Sequence, residues 1–298
     1  LDAKATILAD ALRRIGGLPL PGEIRVEPSP SPYGYRGRAR VRVGRGKVGF
    51  LRRRSHAICA TRRCPVLLPA LDAALAELAD APPRESGEWE LVAGSSGEVR
   101  SARLEGKGAR AVEITVGGEP LRISPGVFVQ SNALALDGLA AAVHAAAGRG
   151  GLAFELYAGA GAFTLGLARR FGRVVAVEGQ RSAADDLRHN LDAAGLGNVE
   201  VVEAPVEGVL ADDAQLPMGA EVALLDPPRS GLPPGAATAL ARLRPRRIVF
   251  LGCDPAILAR DLAALCAEGH RLTEVRGFDL FPQTPHVEAL AIVERIAF

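Results

Sequence analysis

Along the second half of the chain, short apolar runs alternate with segments whose apolar positions recur at helical spacing, a pattern that predicts a doubly wound α/β domain. Leu152, Phe154 and Leu156 form a run suited to a buried strand, Gly159 and Gly161 allow a tight turn, and Phe163, Leu165, Leu167 and Ala168 continue as a helix. Further runs predict strands over 173–177, 199–202, 221–225 and 247–251, helices over 182–194 and 256–267, and a last strand in VEALAIVERI, 287–296. The first half is patterned differently. It opens with an amphipathic helix in LDAKATILADALRRIGGL, and residues 66–78 have helical apolar spacing closed by Pro82 and Pro83. Short, partly alternating stretches over 88–92, 98–104 and 111–116, separated by Gly-Ser-Ser-Gly, Gly-Lys-Gly and Gly-Gly turns, predict a meander. A helix is expected over 132–147. The parts are then a helical segment over 1–26 packed on the second domain, a small α+β domain over 27–124 and the doubly wound domain over 125–298.

Charge changes this picture at one place. The net charge is only +2, yet between Tyr35 and Arg63 the chain carries many cations and no Asp or Glu. Within that stretch Arg36, Arg38, Arg40 and Arg42 alternate with small or apolar residues, so on a strand they line one face, suited to a phosphate backbone. A merely solvated strand face is the competing reading. Cys59, Cys64, Cys253 and Cys266 have neither paired spacing nor a secreted framework, which points to a reducing cytoplasm. No apolar run approaches membrane-spanning length. Residue 1 is Leu, and the expectation is a fragment whose natural start lies upstream.

The candidate chemistry gathers at strand ends. A glycine turn alone leaves nicotinamide enzymes, flavoenzymes and S-adenosylmethionine (AdoMet) methyltransferases open. Glu178 follows about twenty residues later, where a carboxylate at the tip of the second strand bonds ribose hydroxyls. Asp226 is stiffened by Pro227 and Pro228 directly after a strand. Cys253 precedes Asp254 and Pro255, an N-cap and a first helical residue, so it is expected beside a helix N-terminus that favours a thiolate. The competing reading of Cys253 is a buried small hydrophobe. Glu288 opens the last strand and is either a base or an exposed strand residue.

Taken together, Phe128-Val129-Gln130-Ser131-Asn132, Leu156 to Gly161, Val177-Glu178, Asp226 to Gly231, Cys253 to Asp261 and Phe281 to Glu288 resemble the AdoMet-dependent RNA uridine-C5 methyltransferases of bacterial ribosomal and transfer RNA. SPYGYRGRARVRV, GFLRRRSHAI and RRCPVLLPAL look like that family's RNA-binding central domain. The resemblance implies a class I, Rossmann-like AdoMet methyltransferase domain beside a small α+β RNA-binding domain. It makes Cys253 the nucleophile, Glu288 the general base, and Gln130, Tyr157, Gly159, Gly161, Glu178 and Asp226 the AdoMet site. Phe128 lies near the target base, and Arg36, Arg38, Arg40 and Arg42 hold RNA, rRNA ahead of tRNA. The implied protein is a cytoplasmic monomer without membrane contact.

Departures from the family pattern include Ala158, Ala162 and Pro205, and Gly252 and Asp254 around the cysteine, where Ser and Asn are usual. Of the family's four iron-sulfur ligands only Cys64 has a match, so no cluster is expected to form in this chain. A nicotinamide dehydrogenase leaves Asp226, Cys253 and Glu288 without roles. A non-catalytic RNA-binding protein with a relic cofactor fold explains only the basic stretch. An amino-group methyltransferase needs an aromatic where Arg229 stands.

Overall fold

The structure, a computed structural model, describes residues 1–104, 110–212 and 216–296; the Gly-Lys-Gly turn expected at 106–108 lies outside the described residues. In chain order the elements are α1 (Asp2–Arg14), β1 (Arg25–Glu27), β2 (Arg38–Gly44), β3 (Lys47–Leu51), β4 (Ile58–Ala60), α2 (Pro69–Asp80), β5 (Gly87–Ala93), β6 (Val99–Arg103), β7 (Val112–Val116) and β8 (Glu119–Ile123). They continue with α3 (Leu136–Ala147), β9 (Gly150–Leu156), α4 (Thr164–Ala168), β10 (Phe171–Glu178), α5 (Arg181–Ala193), β11 (Val199–Glu203) and α6 (Val206–Ala211). The last elements are β12 (Val222–Leu225), α7 (Ala236–Leu243), β13 (Arg247–Gly252), α8 (Pro255–Ala267), β14 (His270–Phe278) and β15 (Glu288–Arg295). They fall into two compact units, Leu1–Ser29 with Asp137–Phe298, and Pro30–Leu136.

The first unit is built on an eight-stranded sheet in the order β1-β14-β15-β13-β12-β9-β10-β11. Every strand runs parallel except β15, which lies antiparallel between β13 and β14. All four residues of β12 are buried, as are Ile248 to Leu251 of β13, because helices cover both faces of a parallel sheet and leave no side for polar residues. The doubly wound pattern expected from the sequence is therefore present. Its continuation into β14, α7 and the short β1 was not expected. Helix α1 packs against α8 with Leu8 and Leu12 fully buried, and β1 extends the sheet by pairing Val26 with Gly277.

In the second unit a five-stranded antiparallel sheet, β4-β3-β2-β5-β6, is covered on one face by α2. Leu71 and Leu75 of the helix meet Ala39, Val41, Val43, Val48 and Leu91 of the sheet. The expected meander divides: β5 and β6 join the basic strand, while β7 and β8 form a hairpin of their own. The helix expected from 132 starts at Leu136 instead. The reason is local, since Asn132 bridges to Arg36 and its side chain accepts the Ala135 N–H at 3.1 Å, holding 132–135 in a turn. Among the described residues, no helix is long and apolar enough to cross a membrane.

Candidate active site

The turn after β9 is shaped by three residues with positive φ, Tyr157 at 67°, Gly159 at 58° and Gly161 at 97°. The two glycines are required for different reasons. A Cβ on Gly161 would sit 2.7 Å from Leu187 Cδ1, so a side chain there would displace Leu187 as well as strain the backbone at φ 97°. A Cβ on Gly159 would meet nothing within 4 Å, so here the glycine leaves an open cradle beside the backbone. Tyr157 is not a glycine, and its left-handed conformation stores strain of the kind that collects at ligand sites, of order 1–3 kcal/mol.

Glu178, at the tip of β10, closes this turn from the neighbouring strand. Its carboxylate accepts the Gly159 N–H at 2.7 Å and the Gln180 N–H at 2.6 Å. Among the described residues, the buried Tyr157 hydroxyl beside the turn has no hydrogen-bond partner, and the fully buried Glu155 carboxyl has only the Thr164 hydroxyl near it. Burial raises the Glu155 carboxyl to about 8, the Thr164 hydroxyl draws it down, and Asp226 and Glu178 push it up again. An open cradle at Gly159, an acid at the strand tip and an orphaned hydroxyl fit a cationic nucleoside cofactor such as AdoMet.

A second cluster lies at the ends of β12, β13 and β15. In the antiparallel register Gly252 pairs with Ala289, so Cys253 and Glu288, one step further out on each strand, stand at the same end of adjacent strands. Asp254 is the N-cap of α8, its Oδ1 accepting the Ala256 N–H at 2.9 Å and the Ile257 N–H at 3.2 Å, with Pro255 following as expected. Cys253 itself is half-buried and lines a small recess with Pro227, Pro228, Arg229, Ile257 and Asp261.

The electrostatics correct one expectation. The helix N-terminus was expected to favour a thiolate, but the Cys253 thiol is pushed up, by burial first and then by Glu288 and Asp226, against the opposing pull of Arg229. Glu288 is 3% exposed, and burial together with Asp226 drives its carboxyl well above the usual range, again opposed by Arg229. The cysteine and the two acids thus share too much negative charge for a buried site, and Arg229 relieves it. Sequence reading missed Arg229, although it sits inside the DPPRSG segment, and it missed Glu155, whose only signal was an acid in an otherwise apolar strand.

In the Pro30–Leu136 unit the arginines expected to line one strand face are not equally accessible. Arg38 is 6% exposed, and its guanidinium meets the fully buried Glu90 at 2.5 and 2.8 Å. Glu90 also accepts from Arg100 at 2.6 Å and from the Gly126 N–H at 3.1 Å. Burial alone would raise the Glu90 carboxyl, but Arg38, the Gly126 amide and Arg100 outweigh it and hold it below the ordinary range. The cause is register. Strand β5 lies antiparallel to β2, with Arg40 opposite Glu90 and Arg42 opposite Glu88, so its glutamates share the arginine face. Arg40 and Arg42 remain about half exposed, reaching Glu88 at 3.7 and 3.2 Å, while the Arg36 Nε–H donates to the Arg38 carbonyl at 2.9 Å. Phe128, with Gln130 in the same unit, is 59% exposed, and the Arg38 guanidinium carbon stands 5.8 Å from its ring centroid. Cys64 donates its backbone N–H to Asp72 at 2.6 Å and packs on the core under α2.

Comparison with known proteins gives this geometry a context. Residues 116–296 match the family described as tRNA (Uracil-5-)-methyltransferase. A 23S rRNA (uracil(1939)-C(5))-methyltransferase of Edwardsiella ictaluri is 34% identical over 297 residues, covering 84% of this chain and 66% of that protein. One from Pseudomonas aeruginosa is 39% identical over 182 residues, covering 58% of this chain and 39% of that protein. This chain thus spans less than two thirds of the length of either relative. Among solved structures, the Pyrococcus abyssi tRNA (uracil-54, C5)-methyltransferase in complex with S-adenosyl-L-homocysteine superposes with a TM-score of 0.79 at 23% identity. That match covers 98% of this chain and 83% of that one, and it assigns the fold: a class I methyltransferase sheet accompanied by a smaller unit.

Proposed function

Because this chain belongs to the tRNA (uracil-5-)-methyltransferase family, we propose that it methylates carbon 5 of a uridine in RNA, with AdoMet as methyl donor. The observation that carries the reading is the placement of Cys253 and Glu288 at the same end of adjacent antiparallel strands, with Asp226 and Arg229 acting on both. We assign rRNA as the substrate, supported by the relatives of 34% and 39% identity, both named for 23S rRNA. A reducing cytoplasm suits a chemistry that needs a free Cys253 thiol.

AdoMet would be held by Tyr157, Gly159, Gly161, Glu178 and Asp226, and when bound it supplies an electrophilic methyl group. The rest of the reaction belongs to the chain's own groups. Uracil C5 is a poor nucleophile, so the Cys253 thiolate adds to C6; a C–S bond forms, and the C5=C6 electron pair becomes available at C5. After methylation Glu288, ionised with the help of Arg229, takes the C5 proton. The C–H electrons rebuild the C5=C6 bond and Cys253 leaves as thiolate. Phe128, exposed on the other unit, suits stacking on an unpaired base, and the target uridine must leave its stack to be reached.

Three measurements test this. AdoMet at 100 times its Kd should stabilise the fold by about 2.7 kcal/mol, while NAD should not; protection by NAD alone sinks the reading. In RNA from cells lacking the gene, mapping should show at least one 5-methyluridine lost. Cys253→Ala should yield neither product nor adduct, whereas Glu288→Gln should accumulate a denaturation-resistant protein–RNA adduct with turnover lower by about 100-fold or more.

A further inference from the structure

Lys4 is a buried lysine on a helix that carries none of the groups assigned above. It is 7% exposed, and its ammonium donates to Asp279 Oδ1 at 2.5 Å, the Phe281 carbonyl at 2.9 Å and the His286 carbonyl at 2.6 Å. An ammonium has three N–H donors, so all of them are used. The acceptors lie on one loop. Phe278 of β14 pairs with Glu288 of β15, and residues 279–287 form the connection between them. Lys4 therefore holds the loop at its first residue, Asp279, and again at His286, two residues before Glu288. The loop is also tied internally, with the Thr284 hydroxyl donating to the Phe281 carbonyl at 2.7 Å and the Phe281 and His286 rings edge to face at 6.2 Å.

Anchoring α1 does not call for a cation at this position. Leu8 and Leu12 are already fully buried and fix the helix on the core, and taking an ammonium out of water is unfavourable by several kcal/mol unless every donor is paired. What the cation adds over an apolar side chain is directional control of three oxygens, one of them next to the strand that begins with Glu288. We propose that Lys4 is a positioning residue for the base: it holds the 279–287 loop at Asp279, Phe281 and His286 and so the point at which Glu288 enters the sheet. The inference rests on the reading of Glu288 as the base that removes the C5 proton.

The test uses the full chain, radiolabelled AdoMet and total RNA from a strain lacking the gene. Lys4→Met keeps the length of the side chain and removes its donors. AdoMet affinity should be unchanged, kcat should fall on the order of 10- to 100-fold through misplacement of the base, and labelled protein–RNA adduct should accumulate as in Glu288→Gln. Asp279→Asn, which leaves the two carbonyl acceptors in place, should give the same adduct in smaller amount and serves if Lys4→Met fails to fold. A merely structural Lys4 gives a lower Tm with no trapped adduct in either variant, and that result overturns the proposal. If the wild-type protein makes no 5-methyluridine, the functional reading itself fails. If the wild type methylates and Glu288→Gln traps adduct while neither Lys4→Met nor Asp279→Asn does, only the role of Lys4 falls.

Discussion

Arg229 opposes the upward shift of both Cys253 and Glu288. In the proposed reaction each must shed its proton to act, and burial and neighbouring acid favour the protonated form of each, so kcat/KM should rise with pH. Arg229→Met removes the opposing charge and should move that rise to higher pH by about one unit or more; an unmoved profile would remove Arg229 from the mechanism. Glu155 makes a separate prediction about stability. Its carboxyl goes from 4.5 to about 8 on folding, so the folded chain keeps a proton that the unfolded chain releases. Stability is therefore complete below the lower value and declines as pH rises toward the upper one. Glu155→Gln should flatten the fall in Tm between about pH 5.5 and 8, as followed by calorimetry. Cys253 and Glu288 were legible in the sequence because each stands at the boundary of an apolar run, a local signal. Arg229 and Glu155 act through charges distant in the chain, and no local pattern reports that.

Among the elements, β2 separates what a strand pattern conveys from what it cannot. Alternation along the strand correctly puts Ala39, Val41 and Val43 on one face and the arginines on the other. It carries no information about Glu88 and Glu90, which arrive on β5. The arginines should then behave differently. Replacing Arg40 and Arg42 by alanine should lower the salt slope of RNA binding by about 0.7 for each single-strand phosphate that is no longer neutralised. Arg38→Ala should instead leave Glu90 facing only Arg100 and the Gly126 amide and destabilise the protein by about 3–5 kcal/mol, read from urea unfolding. Equal effects on the salt slope from all three positions would contradict this division. The elements that went unread share a cause. Strand β14 mixes Arg271, Thr273, Glu274 and Arg276 with its apolar residues, and β1 is three residues long; both exist because β15 and β14 offer open edges. Tertiary pairing of that kind overrides local propensity.

For the whole molecule, the unit that holds Cys253 and Glu288 is assembled from two distant stretches, Leu1–Ser29 and Asp137–Phe298, with the other unit inserted between them. Leu8, Leu12 and Ile24 join the same core as Leu258, Leu262 and Val275. Burying one such side chain contributes about 1.5–3 kcal/mol, so a chain beginning at Pro30 should lose an amount comparable with the whole stability of a typical domain, about 5–15 kcal/mol. It should show a broadened or absent thermal transition, whereas a sharp transition at the wild-type temperature would assign the first stretch to decoration. The same arrangement bears on synthesis. Lys4 meets Asp279 across 275 positions of chain, and at roughly 5–20 residues per second the early helix waits about a quarter of a minute or longer for its partner to be translated. Until then Leu8 and Leu12 lack the residues of α8 and β14 whose core they join. A chain that stops before β15 lacks Glu288 itself and leaves the edges of β13 and β14 that β15 joins unpaired.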